Sequence, residues 1–376
     1  MTSALPQPPE VPVPTMGVEE EFFLVDPRTR APVPRAPEVI RTLEPTLGDQ
    51  VQAEFYRCQL ELCTTPTASR TDLRDQLTAL RAAGADAARA AGCRLVASGT
   101  AVVPPPAPVP VTDTPRYRRM ARRFRGLVDG RLGVVCGCHV HVGTADRAQA
   151  LALANLLRPD LPALQALLSN SPYDAGRESG FAGRRSVVFG RWPTVGPPPL
   201  LDVDAYEHTA AELVASGTVM DRRMIYWFAR PSEHVPTLEV RVADANADVD
   251  MTVLLALLVR GLCLTALLDG AEAAEQPPVT EQRLLGAHRY AARYGLLGEA
   301  LDPRTGARMP AAERIADLFR RAAPGLVAAG DLGEAGRLLE RALDRGDGAT
   351  RQRAVYQRRH RLREVVDALV VATAAT

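Results

Sequence analysis

Four pairs of residues stand two apart inside otherwise apolar runs: Glu19 and Glu21, Gln59 and Glu61, His139 and His141, and Glu239 and Arg241. Side chains alternate along an extended strand, so each pair would share one face. Glu19 and Glu21 run directly into Phe22, Phe23, Leu24 and Val25, which read as a buried strand. Two carboxylates held together against an apolar strand repel each other unless a cation compensates them, and a hard divalent ion does so economically. A solvated strand end is the competing reading of that stretch alone. His139 and His141 suit a metal or substrate site equally with a pair of hydrogen-bonded core histidines. Cys136, Cys138 and His139 hint at zinc, yet no second Cys/His cluster closes a tetrahedral site. Glu239 and Arg241 also fit an ordinary ion pair on one face, with Leu238, Val240 and Val242 opposite.

The elements that must position these residues can be read in chain order. Residues 1–15 are rich in proline and predict an extended tail, followed by one domain over 16–376 with a largely helical C-terminal part. A second strand is expected over 53–62, with Glu54 near its start. Ser69 followed by Asp72 predicts a capped helix running to about Gly92 on Leu73, Leu77 and Leu80. A short strand is expected over 94–98, and after it a basic helical segment with Arg116, Arg118, Arg119, Arg122, Arg123 and Arg125. One helix is expected over 146–168. The following 169–199 read as a long loop rich in arginine and glycine, suited to an anion-binding lid. Further on, a helix is expected at 204–216 and strands at 224–228 and 237–242. The apolar run from Met251 to Leu268 contains Arg260 and reads as a buried core helix, short for a membrane span.

Composition bounds the function. The chain has 376 residues, a formal charge of +1, 46% hydrophobic and 5% aromatic residues, which fits an Ala/Leu/Val-rich globule and offers no global pull toward nucleic acid or an anionic membrane. Lysine is absent, so all 45 basic residues are arginine. That excludes a Walker-type lysine and a lysine Schiff base, and leaves phosphate chemistry to arginine, metal or backbone amides. Six cysteines without framework spacing, and no signal-peptide pattern, predict a reduced cytoplasmic setting.

Acidic and imidazole positions thus recur on four strand candidates, which suggests an α+β fold whose antiparallel sheet has a polar, metal-lined concave face. The sequence resembles the type 2 glutamate-cysteine ligases, or YbdK-like carboxylate-amine ligases. The resemblance rests on GVEEEFFLVDP at 17–27, GCHVHVG at 137–143, SNSPYDAGRESGFAGRR at 169–185, RWPTVGPPP at 191–199, RPSEHVPTLEVRVAD at 230–244, RYAARYG at 289–295 and GATRQR at 348–353. Tyr290 departs from the tryptophan common at that place in the family.

The resemblance implies a glutamine-synthetase-like catalytic fold, a curved antiparallel sheet flanked by helices, that binds ATP with Mg2+, or Mn2+ in its place. It implies Glu19, Glu21 and Glu61 as metal ligands, with Glu54, His139 and Glu239 as further candidates. Arg241 would face the transferred phosphate. Arg184, Arg185, Arg191, Arg351 and Arg353 are further arginines for nucleotide or phosphoryl group, and His141 a candidate base. A carboxylate is a poor electrophile at neutral pH, so amide synthesis would pass through an acyl phosphate that an amine attacks. The expected partners are a small carboxylate and a small amine, with no nucleic acid and no membrane; homo-oligomerisation stays open. Two other classes compete: a phosphotransferase of guanidino-kinase type on the same fold, and a non-catalytic nucleotide- or metal-binding homologue.

Overall fold

The computed structural model describes residues 11–128, 133–270 and 279–375; most of the proline-rich tail, residues 1–10, lies outside them. The main-sheet strands are β1 (Met16–Val25), β2 (Val51–Ala53), β3 (Gln59–Cys63), β4 (Arg94–Val96) and β5 (Gly137–Gly143). After them comes a separate small hairpin, β6 (Tyr173–Asp174) with β7 (Arg177–Glu178), and then β8 (Ala229–Pro231) and β9 (Thr237–Asp244). The sheet runs β2-β3-β1-β5-β9-β8, with β4 paired to the far end of β1, and every pair is antiparallel. Between Cys138 and Val140 the β5–β9 register slips. Such a bulge bends and twists a strand locally.

One face of the sheet packs on helices. Met16, Val18, Val140, Val142, Leu238, Val240 and Val242 meet the helix Val249–Asp269 in one apolar core. That helix is apolar all round and buried from Met251 to Leu264, as a helix enclosed by protein must be. By length and composition it could cross a membrane, but most of it is enclosed by the fold. Its Arg260 is buried and donates to Asp331 and the Ala68 carbonyl. The helix Ala311–Ala328 crosses it so closely that a Cβ on Gly325 would strike the Gly261 carbonyl.

Glu20 explains why three glutamates can stand in a row. It points to the helical face, where Arg81 of the helix Arg70–Ala90 donates to it from Nε at 2.8 Å and from Nη2, and Thr252 donates at 2.8 Å. Ser69 caps that helix by accepting from the Asp72 N–H, as its sequence predicts.

Several expected elements differ. The strand expected over 53–62 is two short strands joined by a turn, which lets Glu54 and Phe55 project toward the sheet's polar face. The helix expected over 146–168 breaks into Arg147–Leu157 and Leu161–Leu167, because Pro159 and Pro162 interrupt the hydrogen-bond ladder. The strand expected at 224–228 is displaced to β8, preceded by a 3-10 turn at Arg222–Met224. The 169–199 stretch is no open loop: it holds the β6–β7 hairpin and the helix Arg184–Phe189. GATRQR opens the helix Gly348–Arg359, the penultimate one.

Candidate active site

Strand register alone assembles the acids and histidines. Glu19 lies opposite His139, Glu21 opposite Glu61, and His141 opposite Glu239, and directly opposed residues of antiparallel strands share a face. With Glu54 from the turn after β2, they line a cavity of about 300 Å³ on the face away from the core helix. His139 Nδ1 is 3.0 Å from Glu19 Oε2, and His141 Nε2 is 3.3 Å from Glu19 Oε1. His141 Nδ1 is 2.8 Å from Thr237 Oγ1. The Gly137 N–H donates to Glu21 Oε2 at 2.6 Å. Glu239 is gripped by Arg230 Nε at 2.9 Å and by Arg241.

The carboxylates are electrostatically crowded. Burial raises Glu61 well above the ordinary carboxylate range, and the charges of Glu54, Glu19 and Glu21 push it the same way. Glu21 is pushed up to about 8 by burial and by Glu54, against the opposing pull of Arg185. Burial also raises Glu54. Glu19 goes the other way: burial alone would raise it, but its contacts with His139 and His141 outweigh that and lower it. His139 is held down to about 3 by burial and by the Arg241 charge.

These groups fit divalent cations. Three overlapping sets, Glu19/Glu61/His139, Glu19/His141/Glu239 and Glu21/Glu54/Glu61, each bring donor atoms within 4.8 Å of one another. Among the described residues His139 Nε2 has no hydrogen-bond partner, and His141 Nε2 lies 3.3 Å from Glu19 Oε1 without hydrogen-bond geometry. Oxygen-rich, multiply anionic sites suit hard ions such as Mg2+.

Of the arginines singled out by sequence, two reach the cavity. Arg241 follows Glu239 on β9, and its guanidinium is pushed down to about 10 by burial and by Arg230. Arg185 enters from the helix Arg184–Phe189, stacks on Phe189 at 5.6 Å and passes Gly137, where any Cβ would collide with its guanidinium. The others stand elsewhere. Arg184 pairs with Asp174, Arg191 donates to the Gly126 carbonyl, and Arg353 pairs with Glu178 of the hairpin. Arg351 lines a different cavity near the start of the core helix. They were drawn in by motif membership, but neighbouring residues on a helix point in different directions.

The far wall holds Arg230, Arg116, Arg223, Tyr117, Trp192 and Tyr226; the sequence placed Arg116 on a basic helix without assigning it to this site, and did not single out Arg230, Arg223 or Tyr226. Arg230 was legible in principle, since it sits opposite Glu239 once β8 is placed at Ala229–Pro231. A second cavity, about 880 Å³ and mostly apolar, adjoins the first through Glu19 and His141. Val13, Pro14, Thr64, Pro236 and Thr237 are among its walls.

Residues 15–371 match the model of glutamate-cysteine ligase family 2. A relative from Mycolicibacterium vanbaalenii, provisionally named glutamate–cysteine ligase 2-2, is 43% identical over 97% of this chain and 98% of its own. A provisionally named glutamate–cysteine ligase 2-1 from Nocardia farcinica is also 43% identical, over 96% of this chain and 93% of its own. Among solved structures, the glutamate–cysteine ligase of Francisella tularensis in complex with AMP superposes with a TM-score of 0.70 at 12% identity, covering 96% of this chain and 89% of that one. The bifunctional glutathione synthetase of Pasteurella multocida gives 0.69 at 16% identity, covering 96% of this chain and 51% of that one. The fold is therefore the glutamine-synthetase-like one, and the chain belongs to glutamate-cysteine ligase family 2.

Proposed function

We propose that this protein is an ATP-dependent carboxylate-amine ligase that converts a carboxylate to an acyl phosphate and transfers the acyl group to an amine, releasing ADP and phosphate. The observation that carries the reading is the set of three overlapping donor clusters flanked by Arg241 and Arg185. Glu19, Glu21, Glu54, Glu61, His139, His141 and Glu239 would hold Mg2+ or Mn2+. Bound there, such ions supply charge neutralisation for the phosphate oxygens of ATP.

The chain's own residues do the rest. Arg241 and Arg185 present permanent positive charge from a dry wall toward the phosphoryl group in flight, where fixed charge is most effective. Glu239, whose other oxygen accepts from Arg230, anchors Arg241. The apolar cavity beyond Glu19 and His141 suits a base and ribose, and the arginine- and aromatic-lined wall of Arg223, Tyr117 and Trp192 suits small amino-acid-like substrates. Glutamate and cysteine are the partners suggested by the names of the relatives. All six cysteines are free, which supports a reducing, cytoplasmic setting.

The test is product analysis by mass spectrometry after incubation with Mg-ATP, glutamate and cysteine, followed by other carboxylate and amine pairs. An amide together with ADP is expected. A phosphorylated substrate as the end product would instead mean a phosphotransferase.

A further inference from the structure

The GATRQR segment does not belong to the acid cavity. It borders a separate space of about 570 Å³ between the start of the core helix and the last two helices, which shares no lining residue with the catalytic cavity or its apolar neighbour. One side is apolar, formed by Val355, Val365 and Leu369. The other carries Arg74, Arg341, Arg345 and Arg351 against Asp248 and Asp250, with Arg74 also paired to Glu334, which leaves one guanidinium more than the carboxylates.

The arginines are not equivalent. Arg74 and Arg341 are tied to Asp250, and Arg345 lies 3.5 Å from Asp248. Arg351 donates instead to neutral groups, the Gly346 carbonyl at 2.8 Å and Asn246 Oδ1 at 3.1 Å, and no carboxylate of the described residues pairs with it. Burial lowers its pKa. Arg351 is half-buried, and Asp248 and Asp347 favour its charge through space without pairing with it, which leaves guanidinium donors for an acid group. Beside it Gln352 is 3% exposed. Its amide nitrogen donates to the Asn170 carbonyl and side chain, while Oε1 has no partner among the described residues. A buried acceptor left bare is unfavourable.

We propose that this cavity is a second binding site, distinct from the catalytic one, for a small organic anion with an apolar body and one N–H or O–H donor. The acid group would sit against Arg351, the donor at Gln352 Oε1 and the apolar part on Val355, Val365 and Leu369. A cavity of this size and lining is typical of small-molecule sites.

The probe is 8-anilinonaphthalene-1-sulfonate, which carries an acid group, an N–H and an apolar ring system, titrated into the full chain and followed by fluorescence. Saturable binding with one site per chain is expected, weakened at least tenfold in Arg351→Gln. Ala372→Trp places an indole at the cavity rim from an exposed helix position and is expected to abolish it. Arg241→Gln, in the catalytic cavity, is expected to leave it unchanged. Absence of saturable binding, or loss in Arg241→Gln in place of Arg351→Gln, overturns the proposal. So does wild-type affinity in a folded Arg351→Gln, or in Ala372→Trp should the first variant not fold by circular dichroism.

Discussion

Glu19 and Glu21 sit two residues apart on one strand, yet their protonation is driven in opposite directions. Glu19 faces two imidazoles and is kept anionic, whereas Glu21 is pushed up to about 8 by burial and by the neighbouring Glu54. A neutral amide at 21 therefore disturbs the cation-free fold little but removes a donor atom from the crowded set. Glu21→Gln is expected to lower ATP turnover by about 100-fold or more while retaining a wild-type circular dichroism spectrum and melting temperature. His288 offers a pH test away from these acids. It is buried against Phe228, contacts Gln165 Oε1 at 2.6 Å, and burial holds it down to about 3. The unfolded chain titrates near 6.5. Below that pH the unfolded state binds a proton that the folded state refuses, so stability is full above about 6.5 and falls on acidification toward 3. The loss attributable to His288 between pH 7 and pH 5 is about 2 kcal/mol. His288→Gln is expected to flatten that part of the denaturant-midpoint-versus-pH curve; an unchanged slope would remove His288 as its source.

At the scale of elements, what was legible followed from periodicity. The i, i+2 spacing of Glu19/Glu21, His139/His141 and Glu239/Arg241 fixed which side chains share a face, and the cavity contains all of them. Glu20 was illegible because its partner, Arg81, is 61 residues away on a helix. β8 was misplaced because the apolar run Met224–Phe228 is held mainly in side-chain clusters, with an isolated bridge from Trp227 to Gly196, and the displacement hid Arg230. No local signal marked the aromatic wall of Tyr117, Trp192 and Tyr226, which converge from three distant segments. Two substitutions test how the elements are held. Arg81→Met leaves Glu20 buried beside an apolar neighbour and is expected to cost about 3–5 kcal/mol in urea unfolding. Adding Glu20→Met is expected to recover part of that loss, since the uncompensated charge then goes too. Gly325→Ala pushes a methyl into the Gly261 carbonyl where the two central helices cross, with an expected loss of about 1–3 kcal/mol; a loss near zero would mean that the helices can separate without penalty.

For the whole molecule, one layer of helices stabilises the sheet from behind so that its other face can carry mutually repelling carboxylates. Cations held by that face would relieve the repulsion and add stability. Mg2+ or Mn2+ is expected to raise the melting temperature and a chelator to reverse it, because a ligand bound by the folded state alone shifts the equilibrium by mass action. Glu61→Gln, which removes a group shared by two of the three donor sets, is expected to remove most of the gain. Chemistry is tested most directly by trapping. With Mg-ATP, hydroxylamine and a panel of carboxylates headed by glutamate, at least one carboxylate is expected to yield a hydroxamate in step with ADP release, and Glu21→Gln to yield none. ADP release stimulated by a carboxylate without any hydroxamate, or hydroxamate formation undiminished in folded Glu21→Gln, would contradict an acyl phosphate made at this acid-lined face.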